Sequence, residues 1–187
     1  MKGQPPLKVV IIGPESTGKS SLCDALASRY DTLWCPEYAR SYLEEKSIKG
    51  HNYTKKDLLE IAKGQLKQED DFMSLATKKR LPYLFIDTDM YVMQVWSEVA
   101  FMDCHHWILE QIANRTYDFY LLCDTDLPWT ADPLREYPEQ QMRQKLFKNY
   151  LDLLSAQTIA FGIVSGMGEQ RIKNAISLLD KYFKNSQ

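Results

Sequence analysis

Lys19 and Ser20 close a glycine-bracketed stretch, Gly13-Pro14-Glu15-Ser16-Thr17-Gly18, so that the chain reads GPESTGKS at this point. Near neutrality a serine beside a lysine is neither a strong nucleophile nor a general base. The pair therefore suits holding a negative charge rather than forming a covalent intermediate. The stretch matches the phosphate-cradling pattern GxxxxGK[ST] at every position. Its glycines allow torsions closed to other residues, so successive N–H groups can converge on phosphate oxygens. A helix starting near Lys19 would add the positive end of its dipole. Gly13, Glu15, Ser16, Thr17, Gly18, Lys19, Ser20 and Ser21 are thus candidates for holding ATP. Lys19 would reach the β- and γ-phosphates, and the Ser20 hydroxyl would take a position on Mg²⁺.

Three further groups of residues could serve the same chemistry. Asp87 and Asp89 end the apolar run YLFIDTD; side chains alternate along a strand, so both carboxylates are expected on one side, one for Mg²⁺ and one for a substrate hydroxyl. The competing reading is that they cap the following helix, which suits Asp89 better than Asp87. Glu37, Tyr38 and Arg40 lie in CPEYAR after a short second strand. There the glutamate could accept a proton from an acceptor hydroxyl and the arginine could neutralise phosphate charge, or the two could form a surface ion pair. The proline-rich stretch TDLPWTADPLREYPE, residues 125–139, carries Trp129 and Arg135, with Arg143 in the helix beyond. Arginines on a lid over about 125–143 could close on a triphosphate, and Trp129 could stack on a flat ring or pack the lid onto the body. The spare catalytic set is then Lys19, Glu37, Asp87 and Arg135.

These residues need a frame that brings strand ends to one edge. Residues 7–12 form a continuous apolar run, and Leu22, Ala25 and Leu26 follow at helical spacing. Residues 32–37 suggest a second strand, 83–89 a third, 118–124 a fourth and 158–166 a fifth. Helical patterns cover roughly 90–100, 104–114, 139–155 and 169–183. Residues 54–79 read as a long charged helix, with a break near Asp70 and Asp71 left open. Alternating strands and helices predict an α/β fold of the P-loop NTPase kind: five parallel strands with helices on both faces, like that of nucleoside and nucleotide kinases. One domain over 1–187 is expected, with a helical insertion at about 38–80.

Composition narrows the partners. At 187 residues and 44% hydrophobic, the chain can bury one good core. A net charge of −2 with interspersed signs offers no basic face to a nucleic acid. No apolar run is long enough for a signal peptide core or a membrane span, so a cytoplasmic protein without a membrane partner is expected. Cys23, Cys35, Cys104 and Cys123 form no CxxC pair, and the three histidines lack metal spacing. TKKD at 54–57 matches the base-reading element of GTPases but precedes the third strand, and Thr54 as a helix N-cap explains it better.

The segments GPESTGKSSL, PEYAR, FIDTD and DLPWTADPLR, in this order, resemble the nicotinamide riboside kinase domain of the bacterial bifunctional NAD-biosynthesis proteins, within the AAA-type, ATPase-like P-loop proteins. The resemblance runs from Val9 to about Arg143. It implies transfer of the γ-phosphoryl of ATP to the ribose 5′-hydroxyl of nicotinamide riboside. Gly13, Gly18, Lys19, Ser20 and Ser21 would hold ATP and Mg²⁺; Glu37 with Asp87 or Asp89 would serve metal and nucleoside. Trp129 would stack on the pyridine, and Arg135 and Arg143 would close the lid. In that family an adenylyltransferase is often fused upstream; with so few residues ahead of the first strand, this chain is expected to lack it. The rival reading is an ATP-dependent switch module, and a third keeps the kinase and changes the nucleoside.

Overall fold

In a computed structural model describing residues 4–48 and 52–184, five strands form one parallel sheet. In chain order the elements are β1 (Leu7–Ile12), α1 (Lys19–Arg29), β2 (Leu33–Cys35), α2 (Tyr38–Glu45), α3 (Lys55–Lys79) and β3 (Tyr83–Asp87). They continue with α4 (Met90–Phe101), α5 (His106–Asn114), β4 (Phe119–Cys123), α6 (Gln140–Ala156), β5 (Phe161–Val164) and α7 (Gly168–Lys184). The strand order is β2-β3-β1-β4-β5. β1 is central; the chain first crosses to the β2 edge, returns to β3 beside β1, and then passes to the other side through β4 to β5. In such sheets ligands gather where the winding reverses, outside the carboxyl ends of the strands. Here that place lies beyond Ile12, between the ends of β3 and β4.

Alternation along the strands explains how both faces are covered. Val9, Ile11, Phe85 and Leu121 pack against Leu22 and Leu26 of α1 and Leu179 of α7. Val10, Ile12, Ile86 and Leu122 point the other way, onto Val95 of α4 and Leu146 and Tyr150 of α6. A strand buried on both sides reads as an unbroken apolar run, which is why β1, β3 and β4 stand out in the sequence. Each such Val, Ile or Leu contributes about 1.5–3 kcal/mol relative to exposure. A third cluster joins α2, α3, α4 and α5 beside the β2 edge, through Leu43, Leu58, Ile61, Met93 and Ile108.

The expected elements are present, with strands β2 and β5 shorter than their apolar runs. α3 is unbroken at Asp70 and Asp71. The acids there have partners that tolerate the helix: the buried Glu69 carboxylate accepts from Arg115 Nη1 and Tyr117 Oη, both at 3.0 Å, and Asp70 accepts from Arg115 Nη2 at 2.8 Å. The TKKD match is a capping box. Asp57 N–H donates to Thr54 Oγ1, and the Asp57 carboxylate accepts the Thr54 N–H. Among the described residues no helix is long and apolar enough to cross a membrane, and all four cysteines are free thiols.

Candidate active site

The loop between β1 and α1 holds its shape by its own bonds and by what crowds it. Gly13 sits at φ +142°, and a Cβ there would meet the Cys123 carbonyl oxygen at 2.8 Å. Gly18, at φ +75°, starts α1 in a left-handed conformation, and Ser16 joins it at φ +58°. Successive amides in such conformations face inward and make an anion-binding concavity. Thr17 Oγ1 donates to the Pro14 carbonyl at 2.7 Å, while Lys19 Nζ donates to the carbonyls of Gly13 and Pro14 at 3.1 and 3.0 Å. From behind, the buried Arg171 of α7 donates to Thr17 O at 2.9 Å and to Asp126 at 2.7 Å. Sequence reading missed Arg171; a lone arginine on an otherwise amphipathic helix gives no signal.

Pairing of Ile11 with Asp87 puts the end of β3 beside the loop. Ser20 Oγ donates to Asp87 Oδ2 at 2.5 Å, so hydroxyl and carboxylate meet at one point. Burial pushes the Asp87 carboxyl up to about 6, and the Glu37 carboxylate adds to the shift; Lys19 and the Ser20 bond oppose it. A serine hydroxyl and one carboxylate beside a phosphate cradle suit Mg²⁺, which completes its shell with water and phosphate oxygens rather than a protein cage. Among the described residues no cluster of three or more His, Cys, Asp or Glu could hold a metal ion.

Asp89 corrects the expectation of two carboxylates on one side. β3 ends at Asp87, and Thr88 turns at φ +79°. A β-branched residue in that region costs about 1–3 kcal/mol, and the turn breaks the alternation on which the expectation rested. Asp89 caps α4 instead, accepting from Tyr91 N–H at 3.0 Å, Val92 N–H at 3.4 Å and Tyr120 Oη at 2.8 Å. It is buried, and burial pushes its carboxyl up to about 7.

Glu37 is held from α3. Gln65 Oε1 accepts the Tyr38 N–H at 2.7 Å, and Gln68 Nε2 donates to Pro36 O at 2.6 Å. Glu37 stands at the N-cap of α2 but makes no capping bond, so its carboxylate faces the cleft. Tyr38 does not. Its ring covers Gly64 of α3, where an added Cβ would meet ring carbons at 2.0 Å, and it lines neither cavity of the cleft. Arg40 reaches across to Asp132 at 3.0 Å as well as to Glu44 at 3.7 Å, linking α2 to residues 125–139.

That stretch lies folded onto the phosphate loop. The half-buried Glu15 carboxylate accepts the N–H groups of Glu136 and Tyr137. Ser16 Oγ accepts from Thr130 N–H at 2.9 Å and Arg135 Nη1 at 3.3 Å. The buried Arg143 donates to Ser16 O and Leu127 O, leaving its Nε without a partner. For Trp129 the packing alternative describes its place: its ring lies 6.0 Å from both the Arg135 and Arg143 guanidiniums and lines neither cavity. There it packs against both arginines.

Two joined cavities result. One, about 170 Å³, runs along residues 15–21 and is closed by Glu37, Arg40, Trp96 and Arg135. The other, about 110 Å³, shares Glu15, Lys19, Glu37, Trp96 and Leu134 with it and continues between α4 and α6, where Val92, Val95, Val99, Tyr137, Leu146 and Tyr150 line it. Trp96 and Tyr137 were missed in the sequence. The 92-95-96-99 spacing on the helix after β3 was the available signal, and it is equally the signal of an ordinary core face. Such a cleft can hold a phosphate chain on one side and a small apolar ring on the other.

The comparisons agree with this architecture. The family model described as AAA domain matches residues 8–171. The "Trifunctional NAD biosynthesis/regulator protein NadR" of Salmonella typhimurium strain LT2 is 31% identical over 160 residues, covering 82% of this chain and 37% of that protein. Its Escherichia coli K12 counterpart is 28% identical over 159 residues. The chain thus spans little over a third of the length of these relatives. The crystal structure of NadR protein in complex with NR superposes with a TM-score of 0.78 at 21% identity, over 95% of this chain and 49% of that one. Deoxyadenosine kinase from M. mycoides, at TM-score 0.64 and 13% identity, covers 94% of this chain and 100% of its own, and shares the fold. Since the family match spans the sheet from β1 to β5 and reaches into α7, the chain belongs to the AAA domain family of P-loop proteins.

Proposed function

We propose that the protein is an ATP-dependent kinase that phosphorylates the ribose 5′-hydroxyl of nicotinamide riboside to give nicotinamide mononucleotide. One observation carries the phosphoryl-transfer part: Lys19, Arg135 and Arg143 gather at the phosphate loop, and among the described residues none pairs with a carboxylate. Buried or half-buried cations that form no direct ion pair are costly, and a triphosphate would give them charged partners. The ring-sized cavity beyond Glu37 supports a small nucleoside as acceptor. NadR, whose crystal structures contain NR or NAD with AMP-PNP, supports the choice of nucleoside and of ATP.

In this reading the loop amides and Lys19 bind the β- and γ-phosphates, and residues 125–143 act as the lid. Ser20 and Asp87 would hold Mg²⁺, which when bound shields phosphate charge. Glu37 borders both cavities and takes the proton as the 5′-oxygen attacks the γ-phosphorus; the bond to the β,γ-bridging oxygen breaks and ADP leaves. Arg135 and Arg143 offset the charge that develops, in a cleft closed to water. The insertion formed by α2 and α3 positions Glu37, and the protein acts in the cytoplasm without nucleic acid or membrane.

The test is ADP release with a panel of nucleosides. Turnover stimulated by nicotinamide riboside, and abolished in Lys19→Ala, is expected. A basal rate that no nucleoside changes would identify a switch ATPase and end the kinase reading.

A further inference from the structure

Tyr150 of α6 is 4% exposed and packs in the cluster between the sheet and helices α4 and α6. Tyr117 and Tyr120 are the other buried tyrosines of that cluster, and each bonds a carboxylate. Tyr117 Oη donates to Glu69 Oε2 at 3.0 Å, and Tyr120 Oη donates to Asp89 Oδ2 at 2.8 Å. Among the described residues, Tyr150 Oη bonds no protein group.

The hydroxyl does not end in packed atoms either. Tyr30 Oη, Arg143 Nε and Arg171 Nε are the described side-chain atoms that are sealed from the surface and lack a partner, and Tyr150 Oη is not one of them. A buried phenol that is neither bonded nor sealed reaches a cavity, and Tyr150 lines the one between α4 and α6. The other walls from these two helices are Val92, Val95, Trp96, Val99 and Leu146, so Tyr150 supplies the one hydroxyl on them. Phenylalanine would fill nearly the same volume and leave no polar atom unbonded; a buried hydroxyl without a partner is a cost that asks for a reason. In a largely apolar pocket, a few fixed polar groups orient the ligand and give specificity. Burial, with the charges of Asp89, Glu37 and Glu15, holds this phenol well above its usual range, so it keeps its proton and can both donate and accept. The partner it suits is a group with donor and acceptor atoms on a flat ring, such as a carboxamide.

We propose that the Tyr150 hydroxyl selects the acceptor by bonding a polar substituent on its ring, the carboxamide in nicotinamide riboside. This rests on the nicotinamide riboside kinase reading and adds a specificity residue to it.

Two acceptors isolate that bond: nicotinamide riboside, and the ribosylpyridinium that lacks the carboxamide but keeps the ribose, the ring and its charge. Wild-type kcat/KM for nicotinamide riboside should exceed that for ribosylpyridinium about tenfold or more. Tyr150→Phe removes one oxygen and keeps the aromatic ring. It should shrink that preference about tenfold, through a higher KM for nicotinamide riboside, with KM for ATP unchanged. Because no protein group loses a bond, the melting temperature of the variant should not fall. Equal use of both acceptors by the wild type, an equal loss on both in the variant, or a preference that survives the substitution overturns the substituent bond and leaves the kinase reading standing. A lower melting temperature in Tyr150→Phe would assign the hydroxyl to the fold and overturn it too. Phosphorylation of neither acceptor overturns both readings.

Discussion

The carboxylate of Glu15 accepts the backbone N–H of Glu136 at 2.9 and 3.0 Å, joining residues 121 positions apart. An acid inside a phosphate loop repels the ligand that the loop is built to hold. Here that acid is turned aside by residues 125–139, whose Glu136 and Tyr137 amides it holds. Burial pushes the Glu15 carboxyl up, and the two amide bonds pull against that shift.

Glu15→Ala should therefore release the lid without emptying the cradle. The melting free energy should fall by about 1–2 kcal/mol, the range for bonds to a half-exposed charge. Proteolytic cleavage within 125–139 should accelerate. Unchanged cleavage of that segment would contradict the clasp.

Asp87→Asn tests the meeting point with Ser20. If the carboxylate serves Mg²⁺, the variant should lose about 10²-fold or more in kcat and need far more Mg²⁺ for half-maximal rate. It should also lose most of the thermal stabilisation that Mg·ATP confers on the wild type. A variant with normal Mg²⁺ dependence would place the metal elsewhere.

Trp129→Ala discriminates between its two possible faces. Because the ring supports Arg135 and Arg143, KM for ATP should rise several-fold while KM for the nucleoside changes little. The reverse pattern would restore a role in stacking on the acceptor.

Asp89 makes a pH prediction. Its folded carboxyl is raised by burial to about 7, above the value of an exposed aspartate, so the folded state binds the proton more tightly than the unfolded one. Stability from this group is then highest in acid and falls as pH rises toward 7. Asp89→Asn removes that slope while keeping an acceptor for the α4 cap. Relative to the variant, the wild type should gain in melting temperature between pH 8 and pH 5; a constant difference would show that burial does not shift this carboxyl.

The strands were legible because a sheet covered on both faces demands unbroken apolar runs, and LKVVII, YLFID and FYLLC meet that demand. The phosphate loop was legible for a stricter reason. Backbone torsions at Gly13 and Gly18 exclude a side chain, so function is written in residue type at fixed spacing. Asp89, Tyr38 and Trp129 resisted the same reading. Their types suit a ligand and suit capping or packing equally well, and one turn at Thr88, one glycine at 64 and two arginines across a lid decided between them.

What the amino-acid order determined alone is local: the anion cradle, the periodicity of each element and the acids placed at strand ends. The tertiary structure decided what meets what. Register set Asp87 against Ser20, the segment after β4 gave Glu15 its partners, and the facing of α4 onto α6 drew Trp96, Tyr137 and Glu136 around one space. Local bonding obeys short-range rules that residue type reveals. A cavity, by contrast, belongs to no segment, because its walls come from elements whose approach depends on the packing of the whole core.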